Sequence, residues 1–332
     1  MSIKNPKIGV IGGGSWATAI VKILSENTST INWWVRSSSS ISHIKKHGRN
    51  PKYVSSIKLD VKKLNLTNDI NNIVNWSNYL VLAVPSAFLE SILSCLSVSL
   101  NDKIIISAVK GIIPNKNITV VDFMTRHYNV KNENMMVVSG PCHAEEIALE
   151  KLSYLTFGCE NLNEANFIAN LFSCNYVRSI VSNDVFACEY SSVLKNIFAI
   201  ASGICHGLKY GDNFQSVLVA NASSEIARFL NATQEKNIDI NKSVYLGDLL
   251  VTTYSRFSRN RMFGELIGKG YDVKSAESKL KMIAEGYYSV KCINEINKVY
   301  NVNMPIVLSV YNILYKNSPA EQEIQSLSKN LS

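Results

Sequence analysis

The sequence predicts an α/β domain built on a doubly wound, mostly parallel sheet, followed by an all-helical domain. Three observations carry this prediction. A strand pattern, a glycine-rich turn and a helix pattern open the chain over residues 7–24. Strand and helix patterns then alternate up to about residue 185, as they do in parallel sheets. Beyond that point apolar residues recur at helical spacing and strand patterns nearly vanish, so we place the two domains at residues 1–185 and 186–332.

The opening segment fits the dinucleotide-binding fingerprint of a Rossmann-like domain. The apolar run Lys7–Ile11 predicts a buried strand, and Ser15–Leu24 predicts a helix. Gly12 allows the tight turn, Gly14 lets a pyrophosphate approach the backbone, and Ala17 is small enough for the helix to lie on the strand. The N-terminus of the helix offers unpaired N–H groups to the phosphates. A tight turn in an unrelated α/β protein is the alternative interpretation.

The end of the second predicted strand bears on the choice between NAD and NADP. Residues 30–36 predict this strand, which ends in Arg36 and is followed by Ser37–Ser40. An acidic residue about 20 positions beyond the glycines usually holds the ribose 2′-hydroxyl of NAD, whereas an arginine suits the 2′-phosphate of NADP. We therefore expect NADP, or the use of both cofactors. A solvated arginine at a strand end is the alternative interpretation.

The other elements follow in chain order. Further strands are predicted at residues 79–84, 103–109, 135–139, 153–158 and 176–181. Helices are predicted at residues 88–96, 185–208, 214–230, 285–300 and 305–315. Residues 41–76 give weak patterns, with a helix start at Ser42–Lys46 and a turn at Asn50-Pro51. Gly140–Glu146 predicts a turn that opens a helix with Pro141 in its first turn, and the residues from Pro319 predict a short helix or a loose tail.

Composition and charge argue against several classes of protein. No apolar run approaches the length of a membrane span, and the glycines that interrupt the first apolar segment argue against a signal peptide. We therefore expect a cytoplasmic protein without a membrane span. Seven cysteines without a Cys-x-x-Cys pair predict reduced thiols and no zinc site. The net charge of +8 is dispersed along the chain, so we expect anionic metabolites as ligands and no nucleic acid.

Four polar segments carry more functional groups than packing requires. Lys110 follows a predicted strand, at the edge where parallel sheets bind ligands, although a solvated loop lysine would give the same pattern. Lys195-Asn196 interrupts an apolar helix, where a lysine either snorkels or acts as a general base with a lowered pKa. Asp248 follows a predicted glycine turn at Gly247. Ser255–Arg261 places three arginines ahead of a helix, which suits a phosphate, and a solvated basic loop is the alternative.

Together these segments resemble the bacterial-type NAD(P)-dependent glycerol-3-phosphate dehydrogenases over nearly the whole chain. The Leu246–Leu249 and Ser258–Arg261 motifs, in this order after a dinucleotide fingerprint, are highly specific for that family. The matching motifs are Gly12–Ala17, Val109–Gly111, Ser139–Glu146, Leu194–Asn196, Gly207 with Gly211–Asn213, Leu246–Leu249, Ser258–Gly264 and Ala284–Gly286.

The resemblance implies three catalytic residues. Lys195 would take the proton from the C2 hydroxyl of sn-glycerol 3-phosphate as a hydride leaves for the nicotinamide. In the reverse direction it would protonate the alkoxide formed from dihydroxyacetone phosphate. Lys110 would polarise the substrate oxygen and help to lower the pKa of Lys195, and Asp248 would orient Lys195 and the substrate hydroxyls. No metal ion is required.

The resemblance also implies the binding residues. The substrate-binding positions are Lys110, Gly140, Cys142, Lys195, Asp248, Ser258, Arg259 and Asn260. The positions that bind NADP or NAD are Gly12, Gly14, Ser15, Trp16, Arg36, Lys110, Ala144, Arg259, Ile283 and Glu285. Two positions depart from the family pattern. Ala17 replaces the usual glycine, and Cys142 replaces a serine or threonine. Because a thiol is a poorer hydrogen-bond partner, we expect the backbone contact at Cys142 to persist.

The family plan implied by the resemblance is a Rossmann-like doubly wound sheet followed by an all-α domain of the 6-phosphogluconate dehydrogenase C-terminal type. It also implies a homodimer, a small-molecule substrate, and a product that is the precursor for glycerophospholipid synthesis. Two alternatives remain from the residues themselves. The arginines of residues 255–261 argue against a dehydrogenase for a different, unphosphorylated substrate, and the presence of both Lys110 and Lys195 argues against a regulatory protein without turnover.

Overall fold

The computed structural model describes residues 6–234, 237–280 and 283–332, which form two compact units. The first unit comprises the chain up to Val109 together with Val120–Phe186. The second comprises Lys110–Thr119 together with Ala187–Ser332. The short segment Lys110–Thr119 therefore follows a strand of the first unit but belongs to the second.

The first unit is built on one eight-stranded sheet of order β3-β2-β1-β4-β5-β6-β7-β8. The strands are β1 Ile8–Ile11, β2 Ile31–Trp34, β3 Leu64–Thr67, β4 Tyr79–Leu82, β5 Ile104–Ser107, β6 Met135–Ser139, β7 Ser153–Cys159 and β8 Val177–Ser182. Neighbouring strands are parallel except for β6 and β7, which are antiparallel. The central strands β1 and β4 are buried over their full length, which explains why their sequences are continuously apolar.

Within residues 6–109 and 120–186, seven helices accompany this sheet. They are α1 Ser15–Asn27, α2 Ser38–His47, α3 Ile70–Trp76, α4 Ser86–Leu93, α5 Val120–Tyr128, α6 Ala144–Ala148 and α7 Leu162–Phe172, with short 3-10 turns at Val61–Lys63 and Asn132–Asn134. The sequence patterns missed α5 and α7. Helix α2 begins four residues before the predicted start, because the Ser37 side chain accepts the N–H of Ser40 and caps the helix there. Pro141 lies before α6, so its predicted place in the first turn was wrong.

The second unit is helical. Its helices are α8 Val185–Gly207, α9 Asp212–Gln234, α10 Asp248–Tyr254, α11 Arg259–Gly268, α12 Val273–Leu280, α13 Glu285–Tyr300, α14 Pro305–Tyr315 and α15 Ala320–Ser328. The bounds of α13 and α14 are those predicted, and the segment from Pro319 forms a helix. The predicted fold class, a doubly wound sheet followed by an all-helical domain, is confirmed. Across the described ranges, each helix is too short or too polar to cross a bilayer.

Two helices of the second unit cross with their main chains in direct contact. Each carries a pair of glycines four residues apart, which are Gly203 and Gly207 on α8 and Gly264 and Gly268 on α11. A Cβ atom at Gly203 would lie 2.0 Å from the carbonyl oxygen of Arg261, and one at Gly264 would lie 2.1 Å from that of Ile200. Neither distance tolerates a side chain. The crossing therefore fixes the separation of two helices that both carry predicted site residues.

Candidate active site

Lys195 lies in the middle of α8 with only 4% of its surface exposed. Its ammonium group forms an ion pair with the carboxylate of Asp248. The pKa of this lysine is lowered to about 7; burial is the largest cause, Asp248 opposes the change, and nearby Lys110 adds to it. An amine with a pKa near neutrality can both accept and donate a proton under physiological conditions, as general acid–base catalysis requires.

Asp248 is the first residue of α10 and is 1% exposed. The predicted glycine turn before it is wrong, because Ser243–Gly247 forms a π-helical segment that runs directly into α10. Gly247 itself has right-handed helical backbone angles. Single π-helical turns are frequent at functional sites. Here the segment leads into the carboxylate that pairs with Lys195.

Thr252 supports Asp248 and was not singled out from the sequence. Its hydroxyl oxygen lies 2.6 Å from the backbone carbonyl oxygen of Asp248, to which it donates, and 3.5 Å from the carboxylate oxygen Oδ1. The residue is buried. Its position one turn after Asp248 on the same helix face is the sequence signal that could have identified it.

The backbone of Lys110 is hydrogen-bonded to α8, the helix that carries Lys195. The side-chain amide of Asn196 donates to the carbonyl oxygen of Lys110 at 2.8 Å. Because Asn196 follows Lys195 on α8 and is itself buried, this bond holds the Lys110 main chain against α8. The electrostatic influence of Lys110 on Lys195 is consistent with this placement.

The N-terminus of α11 supplies the predicted substrate-binding residues of the basic segment. Ser258 caps the helix by accepting the backbone N–H of Arg261 at 3.3 Å. Asn260 is buried, and its side-chain oxygen accepts the backbone N–H of Gly286 at 2.9 Å. Arg259, between them, is partly exposed. Residues 259–261 of the basic segment therefore begin a capped helix, whereas Arg256 lies in the turn before it and is exposed.

Helix α13 begins beside this helix start. A Cβ atom at Gly286 would lie 2.6 Å from the carbonyl oxygen of Asn196, so only glycine allows α13 to approach α8 this closely. Ile283 and Glu285, the predicted cofactor-binding residues of this region, lie just before Gly286 in the chain and are partly exposed. The backbone of α13 is thus fixed against both α8 and α11.

In the first unit, the glycine-rich turn has the geometry that the fingerprint requires. Gly12 has a φ of +140°, and a Cβ atom there would lie 2.3 Å from the carbonyl oxygen of Ala83. At Gly14 a Cβ atom would meet nothing within 4 Å, so open space adjoins the backbone where a pyrophosphate would lie. Ala17 is fully buried. Ser15 and Trp16 begin α1, whose first turn contains no acidic residue.

Arg36 lies two residues beyond β2 and is exposed. It is followed by the Ser37 cap of α2. Residues 27–59 contain no aspartate or glutamate, so no carboxylate from this stretch of the chain is available for a ribose 2′-hydroxyl. The residues present fit a dinucleotide, and Arg36 places a positive charge at this strand end.

The Gly140–Ala144 segment follows β6. Gly140 has a φ of +117°, and a Cβ atom there would lie 2.8 Å from the carbonyl oxygen of Tyr154. Cys142 and Ala144 are buried. Since β1, β2 and β6 belong to the parallel part of the sheet, the glycine turn, Arg36 and this segment all lie at the carboxyl edge, where such sheets bind ligands.

The predicted site residues are divided between the two units. Lys110, Lys195, Asp248, Ser258, Arg259, Asn260, Ile283 and Glu285 belong to the second unit, and the others belong to the first. All seven cysteines are free thiols. Over the part of the chain that the structure describes, no group of three histidine, cysteine or acidic residues is placed to hold a metal ion.

Comparisons with known proteins point to one family. The family model for the N-terminus of NAD-dependent glycerol-3-phosphate dehydrogenase matches residues 7–165, and the model for its C-terminus matches residues 184–325. A glycerol-3-phosphate dehydrogenase [NAD(P)+] of Bacillus pumilus is 31% identical over 97% of this chain and 93% of its own length. One from Clostridium botulinum is 33% identical over 97% of this chain and 96% of its own length.

Solved structures agree on the fold. The crystal structure of a glycerol-3-phosphate dehydrogenase from Coxiella burnetii superposes with a TM-score of 0.89. The alignment covers 97% of this chain and 98% of that one at 24% sequence identity.

Proposed function

The chain belongs to the NAD-dependent glycerol-3-phosphate dehydrogenase family, and on that premise we propose that it reversibly reduces dihydroxyacetone phosphate to sn-glycerol 3-phosphate. The observation that carries the proposal is the buried Lys195, which has a pKa near 7, is paired with Asp248 and lies under the influence of Lys110. A carbonyl reduction needs one group that delivers a proton to the developing alkoxide, and this lysine meets that need without a metal ion.

Reduced nicotinamide supplies the hydride to C2 when it is bound. As the C2–H bond forms, the π electrons of the carbonyl move to the oxygen, which takes a proton from Nζ of Lys195. The lysine becomes neutral and regains its proton from solvent. In the oxidation direction the neutral amine accepts the C2 hydroxyl proton as the hydride leaves. Lys110 places a second positive charge beside the oxygen, and Asp248 keeps Lys195 oriented.

Residues of the second unit are suited to the phosphate group of the substrate. Arg259 carries a permanent positive charge at the start of α11, where helix N–H groups also favour an anion. Ser258 and Asn260 flank it, and their cap and backbone bonds hold the helix start in place. Gly140 and Cys142 are the other proposed substrate-binding residues, and Cys142 would bind through its backbone.

The glycine turn and its surroundings are the proposed cofactor site. The proposed contacts are Gly12, Gly14, Ser15, Trp16, Arg36, Lys110, Ala144, Arg259, Ile283 and Glu285. The open space at Gly14 supports the pyrophosphate position, and exposed Arg36 supports binding of a 2′-phosphate. We further propose a cytoplasmic homodimer whose product enters glycerophospholipid synthesis, as expected from the family.

The direct test is oxidation of NADH and NADPH by the purified protein with dihydroxyacetone phosphate. We expect turnover, and we expect Lys195→Met to abolish it while the protein still binds the cofactor. Lys329→Met changes an exposed lysine near the C-terminus and is the matched control. Cofactor binding without turnover by the native protein would contradict the proposed substrate.

The two cofactors also test Arg36. A charge-assisted bond from an arginine to a phosphate contributes roughly 1.5–3 kcal/mol, so Arg36→Ser should weaken NADPH binding by about tenfold or more. NADH binding should change little, because NADH has no 2′-phosphate. Equal effects on both cofactors would contradict the role proposed for Arg36.

A further inference from the structure

The carbonyl groups of the glycine-rich turn are all held by the surrounding protein. The indole N–H of Trp33 donates to the carbonyl oxygen of Gly12 at 2.6 Å. Trp33 lies in β2 and is completely buried. The carbonyl oxygen of Gly14 accepts the backbone N–H and the hydroxyl of Thr18 at 3.0 and 2.9 Å.

Asn50 holds the remaining carbonyl. Its side-chain amide donates to the carbonyl oxygen of Gly13 at 3.1 Å and to the hydroxyl oxygen of Thr18 at 2.8 Å. Its side-chain oxygen accepts the backbone N–H groups of Lys52 and Tyr53 at 3.1 and 3.2 Å. With 2% of its surface exposed, Asn50 uses both donors and its acceptor, and so ties the loop after α2 to the glycine turn.

These bonds determine where the N–H groups of the turn point. In a planar trans peptide the C=O and the following N–H point in opposite directions. Anchoring the carbonyls of Gly12, Gly13 and Gly14 to the protein therefore turns the N–H groups of Gly13, Gly14 and Ser15 to the opposite side. No side chain caps the N-terminus of α1, and open space adjoins Gly14. The N–H groups are thus presented to an anion before it arrives.

We propose that Asn50 and Trp33 are positioning residues of the dinucleotide phosphate site. They act on the cofactor only through the carbonyls of Gly13 and Gly12, which they hold in the orientation that binding requires. Binding then does not have to order the turn, and removing such an ordering cost strengthens binding. This inference rests on the proposed function of the glycine turn as the pyrophosphate site.

The experiment measures dissociation constants rather than turnover. NADPH binding is followed by nicotinamide fluorescence, and ADP-ribose binding, which reports the pyrophosphate without the nicotinamide, by calorimetry. We compare Asn50→Ala with Asn27→Ala, because Asn27 donates to three carbonyls of residues 170–173 at the other end of α1. We compare Trp33→Phe with Trp34→Phe, whose indole donates to Asn68 instead.

Asn50→Ala and Trp33→Phe are expected to raise both dissociation constants about tenfold, equivalent to about 1.4 kcal/mol. The KM for dihydroxyacetone phosphate at saturating NADPH should stay within about twofold of the native value, which a general loss of structure would not allow. Dissociation constants within about twofold of the two controls would overturn the inference. If Asn50→Ala does not fold, the Trp33 comparison decides. Native protein that binds neither ligand would refute the proposed function itself.

Discussion

The protonation of Lys195 should set the pH dependence of carbonyl reduction. The reaction consumes the ammonium form, so kcat/KM for dihydroxyacetone phosphate should fall tenfold per pH unit above a pKa near 7. The sign follows from the charge, because the lysine is protonated below its pKa and neutral above it. The substrate phosphate titrates near pH 6 and is a dianion above pH 7. The falling limb of the pH profile, where kcat/KM decreases above pH 7, therefore reports the protonation of a group in the protein.

The structure gives the size and direction of two perturbations. Lowering the pKa of Lys195 from 10.5 to about 7 corresponds to about 5 kcal/mol against the charged form. Asp248 opposes this shift, and two unit charges in contact interact by roughly 5 kcal/mol at an effective dielectric constant of about 20. An amide at that position retains part of the interaction through its dipole. Asp248→Asn should therefore move the limb down by at least about one pH unit.

Lys110→Met removes a positive charge that lowers the same pKa, so it should move the limb upward. The assay is NADPH oxidation at subsaturating dihydroxyacetone phosphate from about pH 5 to 10, which keeps a limb displaced to about pH 6 inside the range. Only the limb position relative to the native protein is compared, because both variants also lose substrate contacts and the substrate phosphate titrates equally in every sample. Opposite shifts are required. A limb that stays fixed in both variants, or moves the same way, would refute the assignment of the proton to Lys195.

Two further predictions follow from the second unit. Glu225 is buried against the backbone N–H groups that begin α14, and burial raises its pKa to about 7. Its contribution to stability is present below its unfolded pKa of about 4.5 and is lost as pH rises through about 7. The free energy of unfolding of Glu225→Gln, measured with urea, should therefore rise by about 3 kcal/mol relative to that of the native chain between pH 4.5 and 8. Gly264→Ala should force α11 away from α8 by about 1 Å. We expect kcat, measured by NADPH oxidation, to fall by up to about 100-fold. We expect stability, measured by thermal unfolding, to fall by about 1–3 kcal/mol.

The predictions for Glu225→Gln and for Gly264→Ala each have a control. The comparison of Glu225→Gln with the native chain at two pH values cancels the other titrating groups, and a pH-independent difference would contradict the role of its burial. Gly211→Ala is the control for Gly264→Ala, since a Cβ atom at Gly211 would meet nothing within 4 Å. Equal losses in the two alanine variants would show that the helix crossing is not responsible.

The parallel strands could be located from the sequence because a strand that is covered on both faces is apolar throughout. Helix α5 was not predicted, because Thr119 and Val120 favour strands by their intrinsic propensity. Packing against the rest of the unit makes this segment helical, and a local pattern does not record that packing. Helix α7 did carry a signal. Asn161 accepts the backbone N–H of Glu164, and an asparagine three residues before a glutamate at the start of an apolar pattern resembles a capping box.

Residue types identified the candidate site better than local backbone patterns did. A lysine within an apolar helix is costly unless it is functional or paired, which singled out Lys195. The sequence did not predict the π-helical segment before Asp248, because a glycine is compatible with both a turn and a π-helical segment. The bonds of Asn50 and Asn196 join residues that are distant in the sequence, and no local pattern records such contacts.

The helical unit has to keep a buried lysine close to a buried carboxylate without letting either group move into water. Side chains alone hold such a pair poorly, since each partner can rotate away. Here the backbones of the helices are themselves held in place. Glycines bring α8 against α11 and α13 at distances that exclude any Cβ atom, and the π-helical segment leads directly into Asp248. The position of Lys195 relative to Asp248 then depends on backbone contacts that leave no room for a side chain at Gly264 or Gly286.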